Sequence, residues 1–81
     1  MIPKVVTVEY VRDYTLRLCF SDGTKAEIDL SSELHGAVFE PLRKHDFFRK
    51  VAIHPDFHTL VWPNGADLAP EFVYEKTRVI V

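Results

Sequence analysis

Apolar residues recur at nearly every second position from Lys4 to Leu30, and β-branched and aromatic side chains dominate the run. That period belongs to strands with one buried face. The spacing predicts three strands, at about Lys4 to Arg12, Tyr14 to Ser21 and Thr24 to Leu30. Leu16, Leu18 and Phe20 share one face of the second strand. Ala26, Ile28 and Leu30 point inward from the third, leaving Lys25, Glu27 and Asp29 to water or a partner. Asp22-Gly23 joins these two strands and predicts a two-residue type I′ turn, which needs positive φ at both positions.

Beyond Leu30 the pattern shortens. Ser31 or Ser32 can cap a helical turn that Gly36 stops, Pro41 suits the first turn of a segment from Phe39 to Arg43, and Asp46 can cap a further turn. That last turn would carry Phe47 and Phe48 inward and leave Arg43, Lys44, Arg49 and Lys50 wet. Val51 to Ile53 and Thr59 to Trp62, separated by Pro55-Asp56, read as a second hairpin added to the same sheet, which Pro63-Asn64-Gly65 ends. Pro70 opens a final helix to about Lys76, docking Phe72 and Val73 or Tyr74 on the sheet. Val79 to Val81 fits either an edge strand or a loose tail. The expected architecture is α+β: an N-terminal antiparallel three-stranded meander, short helices, a second short hairpin, and a C-terminal helix packed on the sheet, in a single domain over residues 1–81.

Size limits what such a fold can do. The chain has 81 residues, 47% hydrophobic and 27% charged. A core of that size yields roughly 3 to 5 kcal/mol of net stability, and a ligand pocket of about 300 Å³ would remove packing from it. Function is therefore expected on the surface or between subunits. Ten basic and twelve acidic residues are interspersed, for a formal charge of −2, so no strong field gathers phosphates or anionic lipid. Cys19 is the only cysteine, which excludes an internal disulfide and fits a reducing, cytoplasmic setting. Pro3 and Lys4 interrupt the N-terminus, and no run approaches the roughly 18 apolar residues of a membrane span.

The stretch Trp62-Pro63-Asn64-Gly65-Ala66-Asp67-Leu68-Ala69-Pro70-Glu71 carries most of the candidate chemistry. As a binding site, Trp62 is a partner anchor and Asn64 and Asp67 make directional polar contacts. As structure, Trp62 closes the core, Asn64-Gly65 supplies a positive-φ turn, and Asp67 accepts amides near the last helix. The structural reading weighs more. His54 and His58 are four apart, but Pro55 between them disfavours a shared helical face, and with one cysteine a zinc site has no support. Cys19 lacks a visible base or electropositive setting and reads as a plain strand residue. No catalytic or cofactor motif occurs. Arg43-Lys44-His45 and Arg49-Lys50 around Phe47 and Phe48 form a basic patch with aromatics, but core-facing rings cannot stack on bases and Glu40 and Asp46 dilute the charge.

Several segments together are specific: Phe20-Ser21-Asp22-Gly23, Ile28-Asp29-Leu30, Gly36-Ala37-Val38-Phe39-Glu40-Pro41-Leu42, Phe47-Phe48, and the stretch from Trp62 to Glu71. With them the chain resembles the bacterial family catalogued as domain of unknown function 2442 over nearly its whole length. The resemblance implies a compact α+β fold and names no reaction. Some similar proteins continue into a helix-turn-helix, for which 81 residues leave no room. Others are encoded beside a second small protein, which implies a toxin-antitoxin kind of partnership. The functional expectation is a protein-interaction module, an antitoxin-like one in its narrowest form, using an exposed strand edge or the Trp62 to Asp67 corner. The alternatives are a homo-oligomeric ligand binder or enzyme with a site around Tyr74, Asn64 and Asp67, and weak nucleic-acid binding through Arg43 to Lys50.

Overall fold

In a computed structural model, which describes residues 3–78, the alternating N-terminal half forms an antiparallel meander of β1 (Val5–Arg12), β2 (Thr15–Phe20) and β3 (Lys25–Asp29), in that order across the sheet. Leu16, Leu18, Phe20, Ile28 and Leu30 are all buried on its inner face, as their period of two requires. β1 keeps its apolar residues on that face only by two register shifts, between Val5 and Thr7 and between Tyr10 and Arg12. Each takes one residue out of the alternation, so Val5 and Val8, three apart, both face the core while Val6 is 53% exposed.

The loop at Asp22-Gly23 is longer than the expected two-residue turn. The Gly23 amide donates to the Phe20 carbonyl (2.9 Å) and the Phe20 amide to the Thr24 carbonyl (2.8 Å), enclosing Ser21, Asp22 and Gly23. Gly23 alone of the dipeptide has positive φ, at +90°. This is the three-residue hairpin loop in which glycine supplies the left-handed position, and Asp22 Oδ1 completes it by accepting the Thr24 amide (3.0 Å).

Two 3₁₀ turns follow, Ser31–Glu33 and Glu40–Arg43, then the single-turn helix α1 (His45–Phe48). Neither predicted serine caps the first turn. Its N-cap is Leu30, and Asp29 accepts the Ser31 amide (2.8 Å). Asp46 lies inside α1 rather than ahead of it, with Lys44 at the N-cap. Of the two phenylalanines Phe48 is fully buried and Phe47 half-buried.

The predicted second hairpin exists as β4 (Ala52–Ile53) and β5 (Leu60–Val61), but it does not join the first sheet. It pairs with β6 (Asp67–Leu68) in a separate antiparallel sheet of order β4-β5-β6, with β4 lying against β1. The β5–β6 loop repeats the β2–β3 loop. Gly65 (φ +92°) donates to the Trp62 carbonyl, the Trp62 amide donates to the Ala66 carbonyl, and Asn64 Oδ1 accepts the Ala66 amide. Helix α2 (Pro70–Arg78) then packs beside β3, with Val73 fully buried and Tyr74 edge-on to Phe20 (4.9 Å). Phe72, expected on the sheet, is 40% exposed. Val79 to Val81 lie outside the described residues. Both sheets, the second 3₁₀ turn and the helices share one apolar core, and among the described residues no polar or charged residue is buried in it.

Candidate functional site

Trp62 follows β5 into the core and is only 3% exposed. Its ring lies 5.9 Å from that of Phe48, and its indole N–H donates to the Phe48 carbonyl (2.9 Å). An indole held this way has no face to offer a partner, so the surface-anchor reading of Trp62 falls and the core reading holds. Asn64 and Asp67 are exposed. Asn64 uses its carbonyl oxygen within the loop and its amide as a donor to the Val38 carbonyl (2.8 Å). Asp67 sits on β6 opposite Val61. Asp67 is expected from the sequence to accept amides near the start of α2, where the Phe72 and Val73 amides donate to the Ala69 carbonyl.

The Asn64–Val38 bond leads to a feature the sequence did not disclose. Gly36, at φ +92°, turns the chain, and its carbonyl accepts the Phe39 and Glu40 amides. The following 3₁₀ turn sends Leu42 into the core and α1 sends Phe48 after it. Ala37, Pro41 and Phe47 are left lining an open groove of about 620 Å³, together with Glu40 and Lys44. Asn64 braces this wall from the second sheet at Val38, whose side chain is 50% exposed. Lys50 Nζ lies 5.9 Å from the centre of the Phe47 ring. The lining therefore combines three apolar side chains with one carboxylate and one ammonium group, on backbone held by hydrogen bonds. The one available signal was a segment, Gly36 to Leu42, with more apolar residues than a single buried face uses.

Residues 5–78 match the model of the family described as protein of unknown function (DUF2442). The chain belongs to that family. No curated protein and no solved structure matches it. DUF2442 membership thus fixes relationship without fixing chemistry, and the remaining polar groups of this DUF2442 domain have to be judged on their own contacts.

Most of those groups are occupied. The Tyr74 hydroxyl donates to Asp22 Oδ2 (2.7 Å), so Tyr74, Asn64 and Asp67 serve three different parts of the fold. His54 Nδ1 accepts the amides of Asp56 (3.0 Å) and Phe57 (3.2 Å), closing the β4–β5 loop, while His58 adopts φ +59° at its end. Among the described residues no three His, Cys, Asp or Glu side chains group as a metal site, and no helix is long and apolar enough to cross a membrane. Cys19 is half-buried on β2. A polar hollow of about 420 Å³ includes Arg12, Asp13, Tyr14, Asp29 and His45. Its Tyr14 hydroxyl donates to the Arg43 carbonyl and its Asp29 carboxylate accepts the Ser31 amide, so both polar groups serve the fold. Of the basic segment, Arg43, Lys44, Arg49 and Lys50 are exposed, but buried Phe48 cannot stack on a base.

Proposed function

We propose that the chain is a protein-interaction module whose docking surface is the groove between residues 37 and 47. The observation that carries this reading is the groove's wall: apolar side chains face outward on backbone already fixed by Gly36, the 3₁₀ turn and the Asn64 brace. A preformed apolar surface needs little ordering on binding, which leaves more of the contact energy as affinity. Strand addition to the first sheet has less room, because β1 meets β4 and β3 meets α2.

Ala37→Arg tests the proposal. Ala37 is exposed, so the long cationic side chain fills the groove without touching the core. A photo-crosslinking residue at position 38 should capture one stoichiometric partner protein in the cells that make the chain, and Ala37→Arg should abolish that capture with an unchanged melting curve. Capture unaffected by the substitution, or no partner at all, would discard the groove as a docking surface. A partner toxic when produced alone and harmless when co-produced would identify the narrower, antitoxin-like form of this function.

A further inference from the structure

We infer that His54 latches the β4–β5 loop through an unprotonated ring nitrogen, so that a proton on Nδ1 opens the loop and releases Phe57. The loop leaves β4 at His54 and rejoins β5 after Thr59. The His54 amide donates to the Thr59 carbonyl (2.9 Å) and the His58 amide to the His54 carbonyl (2.9 Å). Inside that frame the His54 side chain folds back over the loop, and its Nδ1 accepts the amides of Asp56 (3.0 Å) and Phe57 (3.2 Å). The Phe57 ring leans on the imidazole, 4.7 Å away and tilted by 33°.

An imidazole nitrogen accepts a hydrogen bond only while it carries no proton. The closed loop therefore holds His54 neutral, with its hydrogen on Nε2. A proton on Nδ1 turns the shared acceptor into a donor facing two donors, and both bonds are lost together. Little else resists the opening. Phe57 is 71% exposed and takes no part in the core, and Pro55 and Asp56 are exposed beside it. His58 closes the loop at φ +59°, a left-handed conformation that a residue with a side chain adopts under constraint, so release also relieves it. Imidazoles take up their proton between about pH 5 and 8, which places the change in a mildly acidic range. The titratable and charged residues on the surrounding elements are Asp56 and His58 in the loop, Glu9, Tyr10 and Arg12 on β1, against which β4 lies, and Asp67 on β6; β5 has none. Asp56 favours an imidazolium at His54 and a protonated His58 opposes it, while Glu9 and Arg12 are engaged with Arg17 and Glu27.

Nuclear magnetic resonance of the full chain between pH 8 and 5 tests this. As the His54 ring signals report its protonation, the Asp56 and Phe57 amides should lose their hydrogen-bonded shifts. Their order parameters should fall from the rigid range near 0.85 to below about 0.6, with core amides unchanged. His54→Asn places an acceptor oxygen where Nδ1 stands and does not titrate in this range, so its loop should stay closed throughout. His54→Ala should leave the loop open at every pH, and Asp56→Asn and His58→Gln should each keep the transition. Loop amides that remain bonded after His54 is protonated overturn the inference, as does a transition that persists in His54→Asn. A transition abolished by His58→Gln would move the switch to His58 and refute the latch at His54.

Discussion

Trp62 shows how one hydrogen bond assigns a residue that pattern leaves open. In sequence it ends a short apolar run beside a polar turn, a context that suits a partner anchor and a core plug equally. What decides is the Phe48 carbonyl, 14 positions back in the chain, which accepts its N–H inside the core. Trp62→Phe keeps most of the apolar contact but removes the donor, leaving a buried carbonyl unpaired at a cost of about 1 to 3 kcal/mol. Trp62→Ala also opens a cavity, and large-aromatic truncations cost about 3 to 5 kcal/mol. Set against the roughly 3 to 5 kcal/mol a domain this small holds in reserve, the alanine variant should be largely unfolded and the phenylalanine variant folded with a lower urea midpoint. Urea titrations of both by fluorescence and far-ultraviolet dichroism check this. A Trp62→Ala protein with wild-type stability would return the residue to the surface.

At the scale of elements, the chain uses one loop twice. Phe20-Ser21-Asp22-Gly23-Thr24 and Trp62-Pro63-Asn64-Gly65-Ala66 make the same three hydrogen bonds, each after an aromatic residue buried in the core. In both, the turn side chain also reaches a distant segment: Asp22 accepts from Tyr74, and Asn64 donates to Val38. Gly23→Ala and Gly65→Ala meet no steric obstacle, since a Cβ at either position finds nothing within 4 Å. Their cost is the left-handed backbone, about 1 to 2 kcal/mol each, and Gly→Asn at the same sites should cost less because asparagine tolerates that region. Thermal melts of the four variants give the comparison, and an alanine no worse than asparagine would contradict the conformational origin. The long strands β1 to β3 were legible because each spans several periods of alternation. β6 was missed and the β4–β5 hairpin joined to the wrong sheet because strands of two residues have no period, and their pairing is settled by tertiary contact. The alternation locates the Asp22-Gly23 turn but makes it one residue too short. The choice turned on whether Phe20 or Ser21 closes the loop, and the Phe20–Thr24 bond with the Asp22 side chain selects Phe20.

For the molecule as a whole, three carboxylates held by native hydrogen bonds make its stability depend on acid, and one of them, Asp22, also ties the β2–β3 loop to α2. The Thr24 amide, and after it the Tyr74 hydroxyl, hold Asp22 below the usual carboxylate range. The Ser31 amide does the same for Asp29, and Arg17 for Glu27, on the outer face where Arg17 also meets Glu9 (3.0 Å). Each native carboxyl is thus a weaker proton acceptor than in the unfolded chain. Its contribution is complete above the unfolded value, near pH 4, and is lost as pH falls through the lower native value. The stability these carboxylates supply should therefore hold level from about pH 7 to 5 and decline below about pH 4. Asp22→Asn removes one titrating group while leaving an acceptor for Thr24, so its decline should be shallower than the wild type's. Tyr74→Phe should be less stable at neutral pH and also lose less on acidification, because the hydroxyl contributes to the lowering at Asp22. Added salt should weaken the Arg17–Glu27 part, which is exposed and screened, while leaving the Asp22 difference between wild type and Asp22→Asn largely intact. Urea midpoints against pH, at low and high salt, separate the two. Identical acid limbs for wild type, Asp22→Asn and Tyr74→Phe would mean that the link from the β2–β3 loop to α2 carries none of the acid dependence.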